Sequence, residues 1–175
     1  MASCTSYTLK GLNAGCKDSV GGVAKIWLAD FEAVKWTIDE SSHLATPDAT
    51  TAFKVYNLRR GAASMTSTLT VNDNAGSYFT TEVAIQFLKM ENQKRLEVMA
   101  MLMGQSTGIV KDKNGHYWAI GVDAPLEGSN GTGETGTAAS DANQYSVTIS
   151  VDDAELPREI TDSATITALE AIQLV

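Results

Sequence analysis

A chain of 175 residues, 43% hydrophobic and 19% charged, can bury a core unaided as one domain, 1–175, which excludes wholesale disorder. Its formal charge of −8, from 21 acidic and 13 basic residues, argues against gripping nucleic acid through neutralised phosphates. No apolar run approaches the roughly 18–20 residues that cross a bilayer, and residues 1–6 lack the basic-then-apolar pattern of a secretory signal. No membrane partner and a cytoplasmic origin are therefore expected.

Cys4 and Cys16 have no Cys or His at metal-ligand spacing and are expected to be reduced, unrelated thiols. After the paired glycines Gly21 and Gly22, residues 23–28 and 34–38 are short β-rich runs. Residues 41–51 are polar and predicted as a loop, and 53–58 as a strand.

Residues 64–71 are rich in Ser and Thr, 72–76 form a turn cluster, and 78–87 resume extended character. Together they predict a long β-hairpin whose arms are poor in large apolar side chains. Such a hairpin is weakly held by its own domain and available to a neighbour. Ser64, Thr66, Thr68, Thr70, Asn72, Asn74, Gly76 and Tyr78 are the candidate inter-subunit residues.

One helix is predicted, starting near either Thr80 or Glu91 and ending at Met103, with Gly104 as its C-cap. Its methionines, Met99, Met101 and Met103, together with Met90, are expected to fill core gaps rather than form a binding face. Asn114-Gly115 between the apolar runs 108–111 and 116–122 is a strong hairpin signal. Residues 128–143 are predicted as a loop, and 144–151 as a half-buried strand from the alternation of Tyr145, Val147, Ile149 and Val151. Residues 160–175 leave strand and short helix open.

Apparent chemical motifs weaken under their context. Gly131, Gly133 and Gly136 match a dinucleotide fingerprint in letters, but a Ser/Thr-rich stretch and a strand follow where a helix is needed. Asp112, Asn114 and Asp123 hint at a calcium loop, yet Gly115 falls at the fourth position where that loop needs it at the sixth. His43 and His116 have no metal-like neighbours, and no nucleophile signature accompanies them. The expectation is a protein without catalytic residues, metal or cofactor, and not an enzyme.

The hairpin 109–121, ending in Trp118 and Gly121, and the segment 133–149 carry a more specific pattern. They resemble the C-terminal part of tail-tube-like virion proteins of tailed phages, and residues 16–26, with paired glycines before a strand, resemble an N-terminal segment of the same family. Gln144 departs from it, standing where glycine is common. The resemblance implies a mainly β fold of two packed antiparallel sheets with one flanking helix. It also implies self-assembly into stacked hexameric rings whose inner sheets close into a barrel around a channel for double-stranded DNA. Partners would then be further copies and other tail proteins, and the location the virion tail. Within that scheme, Thr80, Thr81 and Glu82 are candidates to face the lumen. Two other classes stay open: another virion protein (head–tail connector, tail terminator or capsid decoration), and a carbohydrate- or metal-binding module using Trp27, Trp36 and Trp118.

Overall fold

The computed structural model describes residues 11–13, 15, 18–73 and 76–173. Cys4, Cys16 and Asn74, named above, lie outside them. In chain order the described residues form β1 (Val23–Asp30), β2 (Trp36–Ile38), β3 (Ala45–Pro47), β4 (Lys54–Asn57), β5 (Ala63–Asn72) and β6 (Gly76–Leu88). There follow α1 (Asn92–Met103), β7 (Ser106–Asp112), β8 (Tyr117–Ile120), β9 (Glu127–Glu134), β10 (Gln144–Asp153), β11 (Arg158–Ile160) and α2 (Ser163–Glu170). The protein is mainly antiparallel β with flanking helix, as its composition and alternation predict.

The strands make a five-stranded sheet, β11-β8-β7-β1-β4, a four-stranded sheet, β5-β6-β10-β9, and the small pair β2-β3. β1 is apolar at nearly every position because its sheet is covered on both faces. Ile26, Leu28, Val110 and Ile120 point to one face and pack on Val83, Ile85, Val147 and Ile149 of the four-stranded sheet. Trp27, Ile109, Ala119 and Ile160 point to the other, against Phe53, Val34 and Leu169 of α2. The result is a β-sandwich with a third layer over one side.

Several expectations need correction. Of the two helix starts left open, the later one holds: residues 76–88 are strand, their Val83, Ile85 and Phe87 alternating with polar residues. Gly104 follows the helix as expected, but its φ of −92° is not left-handed. Glycine is needed there because a Cβ would lie 2.6 Å from the Ala100 carbonyl oxygen, which also accepts the Gly104 N–H. Residues 45–47, expected within a loop, form β3, where Pro47 is tolerated because the pair is isolated and one strand edge is free. At the C-terminal end α2 resolves the ambiguity as a helix, with Asp162 capping it by accepting the Thr165 N–H at 2.8 Å. Among the described residues there are therefore two α-helices, the second in the segment where strand and short helix were left open.

Two further corrections bear on the site. The expected loop 128–143 contains β9, whose Gly128 and Gly131 lie beneath Leu102 of α1. A Cβ on Gly128 would stand 2.5 Å from the Leu102 carbonyl oxygen, so the helix can approach only where the strand has no side chain. Of the helix methionines, Met101 is buried while Met99 and Met103 are exposed with Leu96, so core filling accounts for only part of the set.

Candidate functional site

The four-stranded sheet has one face in the sandwich and one over which, among the described residues, no element lies. Alternation divides its residues cleanly. Register places Thr66 beside Glu82, Glu82 beside Ser150, and Ser150 beside Glu127. A second row runs through Thr68, Thr80 and Asp152, and a third through Ser64, Ala84, Thr148 and Asn130. The odd-numbered neighbours Met65, Val83, Ile149 and Val147 point the other way, into the core. Hydroxyls, amides and carboxylates thus dominate the outward face.

Its charge has one sign. β5, β6, β9 and β10 carry Glu82, Glu127, Glu134, Asp152 and Asp153, and not one lysine or arginine, although the chain has 13 of them. On the outward face the Thr80 hydroxyl donates to Asp152 at 2.6 Å, and the Gln144 amide donates to Glu134 at 2.8 Å. These bonds hold polar groups flat against the sheet, and among the described residues none of the outward carboxylates is neutralised by a salt bridge. Charge density that would draw and hold an anion is absent from this surface; it repels polyanions.

The sequence candidates divide accordingly. Ser64, Thr66, Thr68 and Asn72 of the hairpin are exposed, as are Gly76 and Glu82, while Thr70, Tyr78 and Thr80 are half-buried. Thr81, expected to face outward, is instead buried at 2% exposure and shares a 2.8 Å hydrogen bond with Ser67 inside the sandwich. Its odd number in a strand whose odd residues face the core decides this. β10 accompanies β6 only as far as Phe79, so residues 70–72 and 76–78 run on as a two-stranded ribbon. Sequence reading missed Glu127, Asn130, Thr132 and Glu134, because the glycines of β9 hid its alternation. The polar residues at 130, 132 and 134 were the available signal.

The other motifs resolve into structure. Gly131 and Gly133 belong to β9, with no helix following them. Asp112 closes the β7–β8 turn by accepting the N–H groups of Asn114 and His116 at 2.8 and 2.9 Å, while Asp123 pairs with Arg158 at 3.0 Å. His116 lies 2.7 Å from Glu159, whose hydrogen bond raises the histidine's pKa. Among the described residues no three His, Cys, Asp or Glu side chains are grouped to hold a metal. The tryptophans form no common platform: Trp27 is fully buried, Trp36 packs with it around Phe53, and Trp118 lies beside His116. Among the described residues, no helix is long and apolar enough to cross a membrane.

The sheet's two edges are the remaining feature. Three successive antiparallel pairings separate β5 from β9, so these edge strands run in opposite directions. No protein-family model, curated protein or solved structure matches the chain.

Proposed function

We propose that this chain is a structural subunit of a phage tail tube, assembling with copies of itself into stacked, ring-shaped layers around a channel for DNA. The single observation that carries this reading is the face of the four-stranded sheet, which among the described residues is open, free of cationic strand residues and bounded by two unpaired and oppositely directed edges. Joining β9 of one copy to β5 of the next continues an antiparallel sheet without interruption, and a closed ring removes both exposed edges. At ~4.8 Å per strand, about six copies supply ~24 strands and a barrel ~37 Å across at the backbone, before tilt widens it. That bore exceeds the width of a B-form duplex.

The face suits a lumen for a physical reason. DNA must pass without binding, and each lysine or arginine in the wall would gain affinity by releasing counterions. A lining of hydroxyls and carboxylates gives no such gain. The ribbon of residues 70–72 and 76–78, continuing past the last partner on β10, supplies a contact with the next ring. In this role the protein acts by shape and charge, with no reaction. Electron microscopy of the purified protein at high concentration tests the proposal: long hollow tubes are expected. Isolated rings would point to a connector or terminator, and monomers at every concentration would overturn assembly altogether.

A further inference from the structure

The outward-turned apolar side chains of α1 and of the hairpin end sit on the same side of one sheet, at its two opposite edges. Around α1, at about 100° per residue, the side chains succeed one another in a telling order. Glu97 faces β4, where it accepts the Tyr56 hydroxyl at 3.0 Å. Met101 and Val98 face the core, and Leu102 rests over Gly128 and Gly131 of β9. Continuing round in the same sense come Arg95, whose guanidinium lies 3.9 Å from the Met99 sulfur, then Met99 on the β9 side of the helix, and Met103 and Leu96 facing away from the core. Met103 is 83% exposed, and Leu96 and Met99 about half.

On β5, Met65 faces the sandwich core, and alternation puts Leu69 and Val71 on that same face further along the hairpin. Among the described residues nothing covers them: Val71 is 66% and Leu69 51% exposed. Each patch is thus on the sandwich side of the sheet, one at the β9 edge and one on the β5 edge. Exposed apolar stripes of this kind mark contact surfaces, and methionine adapts its shape to a partner.

We infer that the α1 stripe of one copy packs over the Leu69 and Val71 side chains of the next copy when β9 and β5 join. This rests on the ring assembly proposed above and names the contact that makes it hold: main-chain pairing sets direction, and the apolar seam on the sandwich side supplies the driving force. It also leaves the opposite, polar face of the joined sheet continuous.

Two variants test it, L69D/V71D on the hairpin and M99K/M103K on the helix. Both change exposed positions, and circular dichroism like that of the wild type establishes that each is folded. By sedimentation at concentrations where the wild type assembles, each variant alone is expected to stay monomeric. Mixed in equal amounts they are expected to assemble again, because the aspartate hairpin of one meets the lysine helix of the other. The alternate contacts in such an assembly are wild type on both sides. If both single variants assemble like the wild type, or folded variants stay monomeric when mixed, the seam is wrong while the ring reading stands. If the wild type itself never assembles, the ring reading falls and the seam with it.

Discussion

The indole N–H of Trp27, in the middle of β1, donates a 3.1 Å hydrogen bond to the Leu169 carbonyl near the end of α2. Trp27 is fully buried, so this bond fastens the C-terminal helix over the central sheet from within. Trp27→Phe removes the donor and leaves unfilled volume. It is expected to cost about 1–3 kcal/mol in urea unfolding, from the lost hydrogen bond and the residual cavity.

α2 is also held by charge. Glu170 accepts from Lys25 and Lys111, each at 2.6 Å, and from the Tyr117 hydroxyl at 2.8 Å. Partial burial pushes its pKa up, but the three donors outweigh this and bring it from 4.5 to about 2. A carboxyl whose folded pKa is depressed stabilises the fold above its unfolded value, and that stability disappears as pH falls through the folded one. Wild-type stability is expected to fall between about pH 4.5 and pH 2, and Glu170→Gln to lose its share of that slope. At pH 7 the variant should be less stable by about 1–2 kcal/mol, a figure discounted for the solvent that reaches the site. Urea titrations at several pH values check both statements.

Gly128 is the tightest point between β9 and α1, where a Cβ would stand 2.5 to 2.9 Å from the backbone of Leu102 itself. Gly128→Val is expected to lift the helix from the sheet at a cost of about 1–3 kcal/mol, seen as a melting temperature lower by roughly 2–12 °C. Thr132→Val, further along β9 with its side chain on the opposite face, should stay within about 0.5 kcal/mol of the wild type.

The hairpin separates folding from assembly only at its end. Ala63 and Met65 pack on the core, so removing all of 61–76 would take a strand from the sandwich. A shorter cut, joining Thr68 to Thr80 through Asn-Gly, keeps that packing and a favourable two-residue turn. The expected product is a folded monomer by circular dichroism that forms no tubes under the electron microscope. Tubes of normal length would show that 69–79 plays no part in stacking or in the seam.

The lumen assignment is tested by reversing its charge. Glu82 is exposed on the polar face and Ser150 lies beside it, so E82K/S150K would place a ring of cations inside an assembled tube. Such tubes are expected to retain DNA in a salt-dependent manner, with each neutralised phosphate steepening the logarithmic salt slope by about 0.9. Wild-type tubes should retain none. Equal retention by both would place this face on the outside.

Local patterns alone were enough for much of this protein. Asn114-Gly115 specified the β7–β8 hairpin because that turn needs a residue free to adopt positive φ, and Gly115 has a φ of 92°. The period of two in 144–151 fixed which residues of that strand share a face. What local pattern could not decide was which apolar residues go inward and which strands become neighbours. α1 has apolar side chains around most of its circumference, so periodicity could not tell Val98 and Met101, which the sandwich buries, from Leu96, Met99 and Met103, which it leaves out. β9 was hidden because its inward positions are glycines, and their purpose appears only when Leu102, from a helix more than twenty residues earlier, lies on top of them. Thr81 reads like its neighbour Thr80 in sequence, and only the register with Ser67 and the position of the core turn one inside and leave the other at the surface. Composition and alternation are properties of a segment, whereas burial is a property of what packs against it, and that is set by contacts distant along the chain.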